Sequence, residues 1–82
     1  MARYFFNIVE DGHKVDVIGA DYPDAQMARM EAVRFVGQVL KEEPERVWNG
    51  AEIRIEATDV WDTVLFTILI AGVDAEALEQ HR

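Results

Sequence analysis

Between positions 51 and 58 the chain alternates with almost no fault. Ala51, Ile53, Ile55 and Ala57 fall on one side and Glu52, Arg54, Glu56 and Thr58 on the other. Successive side chains of a strand point to opposite faces, so this period demands a strand with one dry face and one wet face. Such a strand must lie in a sheet covered on one side, which rules out a helical bundle and a fully buried parallel sheet.

The flanking segments supply the rest of that sheet. Arg3–Glu10 is rich in Tyr, Phe, Ile and Val, with Tyr4, Phe6 and Ile8 on one face and Phe5, Asn7 and Val9 on the other. Asp11-Gly12 is a turn signal, and Lys14–Ile18 returns as a short second strand. Gly19–Asp24 breaks the pattern. Asp21 or Asp24 then caps a helix over Ala25–Glu43, whose apolar stripe of Ala25, Ala28, Ala32, Phe35, Val36, Val39 and Leu40 recurs at helical spacing. Pro44 stops it, and Glu45–Gly50 is a connection. After Ala51–Thr58 and a turn at Asp59–Asp62, Thr63–Ala71 forms the last strand. The expectation is an α+β fold of two layers in the order β-β-α-β-β, a mostly antiparallel four-stranded sheet with one long helix on one face. Residues 1–73 make the single domain, and 74–82 are a polar C-terminal tail that frays or forms a last helical turn.

Composition narrows function mostly by exclusion. The 82 residues include no cysteine, so neither a disulfide framework nor a thiolate metal site is available. Serine is absent too, and Thr58, Thr63 and Thr67 fall within strands or at their ends, which leaves nothing to build a nucleophilic site. His13 beside the first turn and His81 in the tail read as surface residues. Asp11, His13 and Asp16 are the best oxygen- and nitrogen-bearing cluster, but they match no calcium-loop spacing. Glu52 and Glu56, with Arg54 between them, read as a solvated strand face. The expectation is therefore no enzyme, no cofactor and no metal. Sixteen acids against eight bases give a net charge of −8, which disfavours nucleic acid and anionic membrane. The longest apolar run, Val64–Val73 with Thr67 and Gly72 inside it, is well short of the ~20 residues of a membrane span. With no leader-like N-terminus, a cytoplasmic location is expected.

The segments Arg3-Tyr4-Phe5-Phe6-Asn7, Asp11-Gly12, Pro23-Asp24-Ala25 running into Glu31-Ala32, and Ile53-Arg54-Ile55-Glu56-Ala57-Thr58-Asp59 together resemble the domain-of-unknown-function 6894 family of short bacterial proteins. The resemblance covers roughly Arg3 to Ala71 and rests on strand starts, turns and a helix cap. Members often carry His at the position of Asn7 and Asp-Gly near Trp61-Asp62. The family implies a fold and no activity to transfer.

What remains is a surface. One helix covers one sheet face, yet Leu65, Leu69 and Ala71 mark an apolar stripe on the opposite face of the last strand. Either Tyr4, Phe6 and Ile8 or Phe5 and Val9 must join that stripe, and Trp48 and Trp61 stand in connections beside it. A small domain seldom leaves such a patch open. Leu65, Leu69, Trp48, Trp61, Tyr4 and Phe6 are accordingly the interface candidates of a protein-interaction module, expected as a homodimer formed through the sheet. The alternative from the charge is an acidic inhibitor, or nucleic-acid mimic, that occupies a basic groove of a protein partner.

Overall fold

The computed structural model describes residues 2–49 and 52–80. Strands β1 (Ala2–Glu10) and β2 (His13–Tyr22) precede helix α1 (Ala25–Glu42). A 3₁₀ helix (Pro44–Trp48), strands β3 (Ile53–Thr58) and β4 (Val64–Ile70) and one helical turn, α2 (Glu76–Glu79), complete the chain. The sheet has the order β2-β1-β3-β4, antiparallel at every pairing. The two hairpins therefore meet through their first strands, and β2 and β4 are the edges.

Local chemistry explains most boundaries. Glu10 pairs with His13, and Asp11 and Gly12 between them have φ of 51° and 78°. That is the left-handed pair a two-residue hairpin needs, so an Asp-Gly turn fits it. Asp24 rather than Asp21 caps α1, accepting from the Met27 amide at 2.8 Å; Asp21 instead faces Arg3 across the first hairpin. The second strand runs four residues past the expected Ile18, because Gly19 to Tyr22 keep pairing with Phe5 to Ala2. Gly19 allows this. Phe5 lies so close that a Cβ there would meet its ring at 2.9 Å. The stretch after Pro44, expected as a plain connection, winds into the 3₁₀ helix. Arg46 clips that helix to the sheet, donating from Nε to Glu10 at 2.9 Å and from a terminal nitrogen to Glu43 at 3.0 Å. Its pKa is raised, chiefly by the Glu10 hydrogen bond and against the cost of burial. The tail's expected last helical turn is α2. Ala51, expected to open the third strand, Gly50 of the Asn-Gly pair, and His81 lie outside the described residues.

The core lies between α1 and the middle of the sheet. Ile8, Ile53, Ile55, Ala57, Tyr4 and Phe6 are buried against Ala28, Ala32 and Val36. Small alanines on the helix let its axis come close to the large side chains of the two central strands. Phe6 is the hub, its ring centroid 5.9 Å from Tyr22, 6.1 Å from Phe35 and 6.5 Å from Phe66. It thereby joins β2, α1 and β4 in one aromatic cluster.

Candidate functional site: the uncovered sheet face

The register fixes which residues share the face away from α1. One row runs Val17, Asn7, Glu56, Thr67, and its neighbour runs Lys14, Val9, Arg54, Leu69. Phe5 and Val9, not Tyr4 and Phe6, therefore join Leu65 and Leu69 there. Tyr4 and Phe6 were interface candidates, and the structure corrects that reading: both are buried under the helix. The reason is the strand period. Tyr4 and Phe6 share the face of Ile8, and that face of β1 packs in the core with Ala28, Ala32 and Val36 of α1.

No helix of the described residues covers this second face. At one end the loop of residues 59–63 folds back over it. Asp59 shapes the loop, its carboxylate accepting from the Trp61 amide at 2.9 Å and the Thr63 amide at 3.0 Å. Asp62, at φ 64°, reaches across to Lys14 with a 2.7 Å ion pair. Beneath the loop Asn7 is 2 % exposed, donating from its amide nitrogen to the Glu56 carbonyl and to the Thr58 hydroxyl, each at 3.0 Å. The carbonyl acceptor fixes which end of the Asn7 amide is the nitrogen. Phe5, Asn7, Val17, Thr58 and Val60, with the Lys14–Asp62 pair, line an open hollow of about 240 Å³.

Beyond the loop the face is bare. Leu65 is 47 % and Leu69 61 % exposed there. Trp61 projects from the loop at 82 % exposure. Trp48 belongs to the 3₁₀ helix. Its ring lies against Gly72, where a Cβ would come within 2.6 Å, yet most of its surface is open. Leu65 and Leu69 thus share the uncovered face of β4, Trp61 stands on the loop before that strand, and Trp48 packs at Gly72 just after it.

The polar groups here are mutually engaged. Lys14 meets Asp62, Arg54 lies 3.8 Å from Glu56, and the Asp59 carboxylate is held by its own loop. Among the described residues no three His, Asp or Glu side chains converge on a point that holds a metal ion. No helix of the described residues is long and apolar enough to cross a membrane. On this face sequence reasoning missed the Asn7–Thr58 cluster and the Lys14–Asp62 pair. The cluster's signal was a lone Asn inside the apolar and aromatic run Tyr4–Val9.

A family model for a domain of unknown function, number 6894, matches residues 3–71, the whole sheet and its helix. The chain belongs to that family. No curated protein and no solved structure matches it. In this 6894-family chain the matched region ends just after β4, so the uncovered face and its loop lie inside the family's own fold.

Proposed function

We propose that this 6894-family protein is a small, cytoplasmic, non-enzymatic protein-interaction module that self-associates through its sheet as a homodimer. The observation that carries the reading is the uncovered face. Leu65 and Leu69 stand exposed on a strand whose other side is the core, and among the described residues no second layer lies over them. Apolar area of that kind gains about 25 cal/mol for each Å² removed from water, which a second copy supplies. Trp61, held out on a loop pinned by Asp59, has the build of an interface anchor, since a large ring on a short rigid turn loses little entropy on docking. The absence of serine and cysteine from the chain supports the non-enzymatic part.

The net charge of −8 supports a second reading, an acidic inhibitor seated in a basic groove. Against it, Glu10, Asp21, Glu31, Glu43, Glu56 and Asp62 already face Arg or Lys of the same chain. Sedimentation equilibrium tests the first reading, from about 10 to about 500 µM, the range in which a small interface assembles. A dimer that persists or strengthens in high salt is expected, because salt screens the repulsion between two acidic copies and leaves apolar contacts intact. A monomer throughout overturns it.

A further inference from the structure

We propose that the outer edge of β4 is the surface through which two copies join, β4 pairing antiparallel with β4 of a second copy about a two-fold axis through Thr67. The inference rests on the self-association reading above and specifies its strand, register and symmetry.

The first argument is main-chain chemistry. Among the described elements β4 pairs with β3 on one side and packs extensively against no other. Every second residue of an edge strand turns its N–H and C=O outward, which makes the edge a template for another strand. Chains usually blunt such an edge with charge, proline or a bulge. β2, the other edge, shows these devices: it contains Lys14, Asp16 and Asp21, and its register shifts opposite Ile8 and Val9. β4 reads VLFTILI, without charge, proline or glycine. Its one irregularity, opposite Ala57 and Thr58, lies at its start and leaves Phe66 to Ile70 regular.

The second argument is charge, and it selects the occupant. Two copies of a −8 chain repel each other, so they meet most readily where neither carries charge. Among the described strands β1 carries Arg3 and Glu10, β2 carries the residues above, and β3 carries Arg54 and Glu56. β4 alone has none. A second β4 brings no charge of its own to that edge, so two copies meet there with the least repulsion.

The third argument is self-complementarity. Thr67 is the middle of the seven residues. An axis there sets Thr67 opposite its counterpart, Phe66 opposite Ile68, Leu65 opposite Leu69 and Val64 opposite Ile70, so no polar side chain faces an apolar one. The half-buried Phe66, Ile68 and Ile70 extend the core across the join. The exposed Leu65 and Leu69 close over each other on the bare face. The product is one continuous eight-stranded sheet with both helices on the same side.

The chain has no cysteine, so a single introduced thiol reports the register without background. In Thr67→Cys the two thiols face each other across the axis, within the Cα separation a disulfide accepts. Mild oxidation is expected to produce covalent dimer about tenfold faster than in Val17→Cys on the other edge, because pairing raises the local thiol concentration. Leu69→Lys places a charge against Leu65 of the second copy and is expected to abolish the dimer seen by sedimentation, while its circular dichroism stays native. A wild-type dimer in which Thr67→Cys crosslinks no faster than Val17→Cys overturns the β4 pairing and leaves self-association standing. So does a Leu69→Lys protein that remains a dimer. A wild type that is monomeric at every concentration overturns both.

Discussion

The two faces of one sheet are built from the same four strands and obey the same alternation, yet they have opposite fates. On the helix side Ile8, Ile53, Ile55 and Ala57 are buried against a flush row of Ala28, Ala32 and Val36. On the other side burial is confined to the middle, where Asn7, Val9 and Thr58 are buried and the loop of residues 59–63 folds over Asn7 and Thr58. Leu65 and Leu69 remain open toward the β4 edge. The difference teaches that apolar character in a strand does not by itself assign a residue to the core. The cover does. An apolar residue on the helix side holds the monomer together, and one left open toward the β4 edge, as Leu65 and Leu69 are, is available to a partner.

The sharpest way to break this comparison is at the centre of the covered face. Ile55 is paired to Ile8 on one side and Ile68 on the other, under the helix. Ile55→Ala is expected to cost about 2–5 kcal/mol, the transfer free energy of the lost carbons together with the cavity they leave. Urea unfolding followed by circular dichroism measures it, and Ile55→Val, at about 0.5–1.5 kcal/mol, grades the effect. A cost for Ile55→Ala no larger than that of the valine variant means that the helix does not close the core.

A smaller effect is expected on the second face, beneath the loop. Asn7→Ala removes the donor to the Glu56 carbonyl, which is partly buried, and to the Thr58 hydroxyl, which is buried. Stranding buried acceptors costs about 1–3 kcal/mol. Because the hollow beside Asn7 is open, water can replace part of the lost bond, so the lower half of that range is expected from the same urea titration. A loss as large as that of Ile55→Ala makes the loop side a second core, and the contrast between the faces disappears.

The sequence carried the covered face more legibly than the uncovered one. The alternation of residues 53–58 and the helical stripe of Ala28, Ala32 and Val36 are each periodic, and period fixes the face a residue occupies. The turn at Asp11-Gly12 was equally plain, because few residue pairs accept two positive φ values. Strand order was not legible. Nothing local says that β1 and β3 meet in the centre, and that contact decides which residues of β1 lie under the helix. Tyr4 and Phe6 were misplaced for this reason: their period showed that they share a face with Ile8 and not which face α1 covers. The cluster of Asn7 with Thr58 joins residues 51 apart, a proximity that only the tertiary pairing reveals. The full length of β2 was hidden by Gly19, which reads as a breaker in sequence and serves in the structure as the seat of the Phe5 ring.

The smallest expected effect sharpens the comparison most. Leu69 is a large apolar residue in a regular strand, as Ile55 is, but 61 % of its surface is open in the single chain. Leu69→Thr keeps a residue that suits a strand and removes apolar surface that the monomer does not bury. Its stability, measured at a concentration low enough to hold the chain monomeric, is expected within about 0.5 kcal/mol of wild type. At higher concentration the wild type gains stability from its own association and the variant does not, because a ligand that binds only the folded state stabilises it by mass action. A divergence that grows with protein concentration therefore assigns Leu69 to the join between copies. A constant loss of 2 kcal/mol or more, roughly the cost of emptying a core site, assigns it to the monomer's own packing and erases the distinction between the two faces.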